Sequence, residues 1–535
     1  MHIIEYQTSV FGPHLVSSDH QKTFSKGGSM ENYLLGLNNG KNEVRCALFT
    51  TEGRMMASAI RTLSKQQNDE KTAQRDCEEV WLANIEVLKE VLLSSKADPE
   101  KILCIGITAC GSGMVLVDEQ MKPVYPMILP SDQRAKDLCL ELRKDMTERK
   151  LYPLTRSELR PSQPSMLLKW FSIHDPKIID KTRWVLSIKD YIRYRLTNEV
   201  YGELTEASAS GLLNLSSGRY DPYIFDTLKI SSCYERMPEV LDSISIAGHI
   251  SEKTALLTGL KQGTPVTAGY FDVDAEALAS GVLSDEELCM IADTWSINEF
   301  LVGSVSDNYD RMTNSATLSY IKGLYLMESP EMPDISTLDL CIRKIVASYA
   351  PEIDCEDLNK KCDTLVARRD PLRSSAIFIP YSHTAKGNDE AQGVFLNLSE
   401  EDDYVSLLRA LYEGVVFSTI HHIRNLKRPT YTYTAAKLSG SVADSSIWLQ
   451  ILADTLELPI QTIKGNYIGS KGAAIGAGIA CGVFKDLKEG IDRMVRTGKT
   501  YIPRSRYVPI YRKKYEAYES ALLNLLTEKQ DLLVI

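Results

Sequence analysis

The chain has no uninterrupted apolar run of 18 residues, so nothing in it reads as a membrane-spanning helix. It also has no block of Lys and Arg. Its 61 basic residues stand against 71 acidic ones, for a net charge of −10. That balance argues against nucleic acid or an anionic membrane as the main partner. CxxC pairs are missing too: eleven cysteines are scattered, the closest pairs being Cys104/Cys110 and Cys355/Cys362. Such spacing suits reduced thiols in a cytoplasmic protein better than a disulfide framework or a zinc site. Residues 1–29 lack the continuous apolar core of a secretory signal. They read as a non-native or disordered extension. A native start at Met30 is expected, because Lys26-Gly27-Gly28 can be spelled by a purine-rich ribosome-binding sequence.

What is present is ordinary globular material: 535 residues, 44% apolar and 25% charged, enough for two to four domains. Tyr33–Asn38, Val44–Thr50 and Arg54–Ile60 read as an antiparallel meander. Asn39-Gly40-Lys41-Asn42 forms its first turn, since Gly and Asn tolerate positive φ. Amides at such a turn can cradle an anion, or the turn is a plain hairpin. Asp76 and Glu79 make a capping-box pattern before a helix whose stripe is Trp81, Ile85, Leu88 and Leu92. Ile102–Thr108 is a buried strand ending in the glycine-rich loop Ala109–Gly113. Met114–Val117 and Pro123–Ile128 read as a hairpin. Asp132 and Arg134 then lie on a loop at strand ends, where they can meet sugar hydroxyls or form a solvated helix cap. Glu203–Ser208 is small and polar, either a pocket lining or the start of a surface helix.

The stretch Ala268–Gly281, AGYFDVDAEALASG, joins a short strand to a small-residue helix at Asp272. An aspartate there can cap the helix or project into a cleft and take a proton. Beyond it, Leu288–Ala292 and Trp295–Val302 repeat the strand-turn-strand opening, with Asp293-Thr294 in the turn. The two halves are therefore expected to share one architecture. Ala435–Leu438 ends in Ser439-Gly440-Ser441, followed by the helix Ser445–Leu456. A strand, a Gly loop and a helix N-terminus can hold a nucleotide, although the arrangement is common in α/β proteins. The tail stripe Tyr511, Tyr515, Tyr518 and Leu522 reads as packing.

The order of these pieces resembles the FGGY carbohydrate kinases, and within them the L-xylulose kinase group. The opening GLNNGKNEVRCALF, then GITACGSG, LPSDQRA, KLYPLTRSELRPSQPSMLLKW, KDYIRYRLT, TGLKQGTPVTAGYFDV, LYEGVVFS and SGSVADSSIWLQILAD with the later GSKGAA carry the likeness. The resemblance implies an α/β fold of two actin-like (ribonuclease-H-like) domains around a central cleft. A sugar-binding domain would span 30–283 and a nucleotide-binding domain 284–535. It implies a phosphotransferase that uses ATP and Mg²⁺ on a small sugar, and a homodimer in the manner of many family members. Asp272 matches the family's catalytic base. Gly40, Lys41, Asn42, Arg45, Thr294, Gly440, Ser441 and Asp444 match phosphate or nucleotide positions. Cys110, Gly111, Asp132, Arg134, Glu206 and Asp272 fall on the sugar side. Asn38 and Asp272 would hold the metal weakly, through water.

The departures from the family pattern cluster in the phosphate site. Asn38 replaces an aspartate, which removes a full negative charge from a hard-cation site. Lys41 and Asn42 replace hydroxyl residues, Asp293 and Ser441 replace glycines, and Cys110 replaces a glutamine. Lys41 can supply a phosphate cation, and Asp274 a second carboxylate. Two expectations therefore stand: a kinase for a ketopentose or related, L-xylulose-like sugar, and a protein of the same fold that binds sugar or nucleotide with little or no turnover.

Overall fold

The computed structural model describes residues 31–532 except 65–66, 69–70, 293–295, 310–314, 330–340, 347, 349–357, 381–392, 427–432 and 441–444. The expectations for residues 1–29, Asp293, Thr294, Ser441 and Asp444 lie outside the described residues. Among those described, no helix is long and apolar enough to cross a membrane.

The opening meander forms as read. β1 (Tyr33–Asn39) pairs antiparallel with β2 (Glu43–Thr50), and β2 with β3 (Met55–Thr62). β1 is apolar on both faces because both faces are covered. Leu35 and Leu37 enter one core with Trp81 and Leu88, and Leu34 enters another with Ala474 and Ile475. α1 (Cys77–Ser95) starts at Asp76, whose side chain accepts from Glu78 N. The reciprocal half of the capping box does not form. Glu79 turns instead to Ser64 and accepts from its N–H at 2.6 Å and its hydroxyl at 2.9 Å. Two donors in one place outcompete the single backbone donor of the local motif.

β4 (Ile102–Ala109) runs parallel to β1. The chain then passes through α2 (Ile188–Thr197), α3 (Leu204–Ala209), β5 (Ile246–His249), β6 (Pro265–Thr267), β7 (Tyr270–Phe271) and α4 (Asp272–Ala279). The first sheet has the order β5-β6-β4-β1-β2-β3, with β7 added to the end of β4. The expected hairpin of 114–117 with 123–128 shrinks to two isolated bridges, Met114–Ile128 and Val117–Pro123. Pro123 and Pro126 cannot donate to a ladder. Val115–Val117 pairs with Trp184–Leu186 instead.

The second half repeats the plan with β8 (Glu287–Ala292), β9 (Ser296–Val302), β10 (Ala316–Leu318), β11 (Tyr325–Ser329), α5 (Tyr404–Leu426), β12 (Ala435–Ser439), α6 (Ser446–Leu456), β13 (Ile460–Ile463), α7 (Ile468–Ala480), β14 (Thr497–Tyr501) and α8 (Val508–Leu532). Its sheet order is β10-β11-β9-β8-β12-β13-β14. Each sheet sets an antiparallel meander beside two parallel strands and closes on an antiparallel edge strand. This is the doubled α/β architecture expected of two actin-like domains. The tyrosine stripe of α8 is buried against α5 and α6, as expected of packing.

Helix α7 belongs to the second half by sequence, yet it covers the first sheet. Contact this close needs glycine on both sides. A Cβ on Gly36 of β1 would lie 1.7 Å from Ser470 O, and one on Gly106 of β4 would lie 1.9 Å from Ala473 O. A Cβ on Gly472 of α7 would meet Ala275 O of α4 at 1.9 Å. These distances are far inside van der Waals contact, so the glycines are a condition of the packing.

Candidate active site

Asp272 is the first residue of α4, and Phe271 takes the cap position before it. Asp272 Oδ1 accepts from Val273 N at 2.9 Å, and the side chain is half-buried. The carboxylate thus takes up a first-turn N–H of α4, as the capping reading expects of it. β7 brings this carboxylate to the end of β4: Tyr270 pairs with Thr108 and Phe271 with Ala109. The Thr108 hydroxyl donates to Tyr270 O at 2.9 Å. Gly111 lies under the Phe271 ring, where a Cβ would stand 1.9 Å from Cε2. The end of β1 closes the same corner, with Cys110 N donating to Asn39 O at 2.9 Å. Asn84 Nδ2 donates to Asn39 Oδ1 at 2.6 Å.

Four titratable groups act on the Cys110 thiol. Burial, then Asp272 and Glu206, push its thiol pKa up, while Arg75 and Lys41 oppose them. Burial therefore keeps Cys110 a neutral thiol. Burial lowers the Lys41 pKa, with Cys110 opposing and Arg75 adding. Arg75 clamps this turn from behind, donating to Lys41 O at 2.6 Å and to Ser64 O at 2.9 Å. Gly40 N donates to Glu43 O at 2.9 Å, so this amide closes the hairpin rather than facing an anion. Asn42 is exposed, and its carbonyl accepts from Leu63 N at 2.8 Å. Arg45 pairs with Glu43 and lies over the Tyr467 ring, 5.9 Å from its centroid. Asn38 abuts the start of α7: its Nδ2 stands 2.5 Å from where a Gly469 Cβ would be. Asn38 Oδ1 is buried and has no hydrogen-bond partner among the described residues.

On the expected sugar side, Asp132 and Arg134 form neither a solvated cap nor an open pair. Both are buried and bound to each other at 2.8 Å. Asp132 also accepts from Ala73 N at 2.8 Å, and Arg134 lies among the rings of Tyr125, Trp170 and Phe171. They brace the loop from within. Glu206 is not at the start of a surface helix, being only 5% exposed. Burial pushes its pKa up to about 8, held back by Lys189 and reinforced by Asp190, Glu203 and Asp272. It lines a small cavity of about 30 Å³ with Ser112, Ser187, Asp190 and Tyr220. Asp274, read as a possible extra carboxylate at the reaction centre, is buried and accepts from Tyr320 N at 2.9 Å, which ties α4 to the second half.

At the end of β12, Gly440 has φ +106°, a conformation that favours glycine. The Ser280 hydroxyl at the end of α4 donates to Ser439 Oγ at 3.3 Å, so α4 spans from Asp272 to the Ser439-Gly440 loop. Sequence reasoning overlooked Arg75 and Lys189, and in Glu203–Ser208 it read a pocket lining or a surface-helix start rather than a buried group tied to Lys189. Their only signal was a lysine and a glutamate set among apolar neighbours in KDYIRYRLT and GELTEAS.

Residues 33–279 match the N-terminal domain of the FGGY family of carbohydrate kinases, and residues 359–481 its C-terminal domain. The L-xylulose/3-keto-L-gulonate kinase of Escherichia coli is 30% identical over 502 residues, covering 93% of this chain and 98% of its own. The probable L-xylulose kinase of Pasteurella multocida is 29% identical over 495 residues, covering 91% and 98%. The crystal structure of xylulose kinase from Rhodospirillum rubrum superposes with a TM-score of 0.82 at 24% identity, covering 92% and 99%.

Proposed function

The chain belongs to the FGGY family of carbohydrate kinases, and from that premise we propose that it transfers the γ-phosphate of ATP to a hydroxyl of L-xylulose or a related ketose, with Asp272 as general base. One observation carries the reading. A half-buried carboxylate stands where β1, β4 and β7 end, beside the Cys110–Gly111 loop and the Asn39 end of the first turn. The choice of sugar follows the names of the two L-xylulose kinase relatives.

In this reading the sugar lies against Cys110, Gly111 and Glu206, and Asp272 takes the proton of the attacking hydroxyl. Lys41 faces the phosphates in place of the family's hydroxyl contacts. The neutral Cys110 gives up hydrogen bonding that a glutamine would offer, which narrows the sugar's polar contacts. Phosphoryl transfer asks the protein mostly for alignment and charge neutralisation. We assign 30–283 to the sugar and 284–535 to the nucleotide, with Gly440, Ser441, Asp444 and Thr294 on the nucleotide side. Bound Mg²⁺ supplies neutralisation of the phosphate oxygens. Asn38, whose buried Oδ1 has no partner among the described residues, and Asp272 are the oxygen donors that would hold it. Among the described residues no three His, Cys, Asp or Glu side chains form a metal cluster. This suits an ion that keeps its waters and arrives with phosphates.

Thermal shift with Mg-ATP, Mg-ADP and a panel of pentuloses and polyols tests the reading, together with ATP consumption. A ligand of the native state at a hundred times its Kd adds about 2.7 kcal/mol. A raised melting temperature with nucleotide and with L-xylulose, and turnover of the pair, is the expected result. A shift with sugar alone and no ATP consumption would replace the kinase by a sugar-binding protein of the same fold. That outcome is favoured by the substitutions at Asn38, Lys41 and Asn42.

A further inference from the structure

α4 has eight residues, and its cap residue Phe271 makes no side-chain cap. β7, which delivers Asp272, is two residues long. Neither element is long enough to fix the carboxylate by itself. Further fixing groups come from α2 and from the start of α3. Lys189 and Arg193 are four apart on α2 and so share a face. Both are fully buried. Arg193 Nη1 donates to Ala268 O at 2.7 Å, just before β7, and to Asp190 at 2.8 Å. Lys189 Nζ meets Glu203 Oε2 at 2.5 Å. Glu203 Oε2 also accepts the Thr205 hydroxyl at 2.9 Å, while Oε1 accepts from Thr205 N at 2.8 Å and the Ser243 hydroxyl at 2.6 Å. A hydroxyl has one proton. Given to Glu203, that proton fixes the rotor and leaves a lone pair for Phe271 N–H, which donates to Thr205 Oγ1 at 2.9 Å. The stretch 268–271 is thus gripped from α2 at both ends, by Arg193 directly and by Lys189 through Glu203 and Thr205. The backbone at Gly269 leaves no room to slide, since a Cβ there would lie 2.1 Å from Ile107 O.

We propose that Thr205, held by the buried Lys189–Glu203 pair, is a positioning residue that sets Asp272 in line with the sugar hydroxyl. The inference rests on the reading of Asp272 as the base. Thr205→Val keeps the shape and removes both hydrogen bonds. Thr205→Ser keeps the hydroxyl. With L-xylulose and Mg-ATP, Thr205→Val lowers kcat about 10²-fold, the cost of a misplaced reacting group, while the sugar KM stays within about 3-fold. Thr205→Ser recovers kcat to within about 3-fold of the parent. A merely structural role would lower the melting temperature without this split and without rescue by serine.

Asp272→Asn is measured alongside. Loss of turnover in Asp272→Asn with parental kcat in Thr205→Val overturns the positioning inference and leaves the base in place. Parental turnover in Asp272→Asn overturns the base itself, and so does a parent chain with no turnover. Should Thr205→Val fail to fold, Ser243→Ala, which removes a donor to Glu203 at the edge of the group, takes its place. There a fall in kcat at constant sugar KM supports the inference, and an unchanged kcat overturns it.

Discussion

The segment that delivers Asp272 and the turn Asn38–Asn42 end at the same corner of the first sheet, but different atoms hold them. Around Asp272 side chains add to the backbone bonds of Ala268 and Gly269: Arg193 on Ala268, Thr205 on Phe271, Thr108 on Tyr270, and Glu203 and Lys189 behind them. Around the turn most bonds end on backbone atoms, one of them from the Arg75 side chain. Gly40 N holds Glu43 O, Lys41 O receives Arg75, and Asn42 O receives Leu63 N. Where side chains carry the structure, changing one removes a bond from a buried group at a cost of about 1–3 kcal/mol. Where the backbone carries it, side chains can change while the loop keeps its path. The departures from the family pattern at Asn38, Lys41 and Asn42 fall in the second kind of region.

The largest effect expected of this contrast is on turnover. Asp272→Asn should lower kcat by about 10²–10⁴, the usual worth of a general base, with sugar Kd by calorimetry within about 3-fold. Residual turnover near the parental rate would place the base elsewhere. Next, Lys41→Ala should lower kcat/KM for Mg-ATP by about 10²-fold, as for loss of one contact to a transferring group, with the sugar KM unmoved. Its melting temperature should stay close to that of the parent, because the turn is held by backbone. A large drop would break the contrast. Asn38→Asp returns a charge to the orphaned oxygen position and should raise kcat/KM for Mg-ATP about 10-fold. No gain would show that the turn has been rebuilt around a neutral residue.

The smallest expected effect is on pH-dependent stability. Burial raises the Glu206 pKa from 4.5 to about 8 in the folded chain. Between these values the native state keeps a proton that the unfolded chain releases. Stability from this group is full below about 4.5, falls as pH rises through the window, and levels off above about 8. Glu206→Gln cannot titrate, so its melting temperature should fall less between pH 5 and pH 9 in a matched buffer series. Parallel curves would mean that the Glu206 proton is not linked to folding.

The sequence made the local periods plain. The stripe of α1, the tyrosines of α8 and the meander of β1–β3 follow from side-chain spacing, and the structure keeps them. The strand-to-helix position of Asp272 was equally legible. What failed depends on partners far away in sequence. Thr205 meets Phe271 across 66 residues, and Glu79 finds Ser64 instead of its own helix start. Asp132 and Arg134 read either as sugar contacts or as a solvated cap, because both are charged and sit on a loop, and the enclosure that buries them is not part of either reading. Three aromatic rings from elsewhere turn them into a buried brace. Spacing alone carries no trace of such enclosure.

The glycine contacts of α7 with β1 and β4 have a consequence for how the chain is made. The surface of the first sheet that receives Ser470 and Ala473 is complete once α4 has been synthesised, but its cover is encoded about 190 residues later. At about 5–20 residues per second that is roughly 10–40 s during which a nascent chain shows a bare apolar strand pair to its surroundings. A fragment ending at residue 283 would keep that exposure permanently. The first half is therefore expected to need its second half, or a chaperone in its stead, to stay soluble.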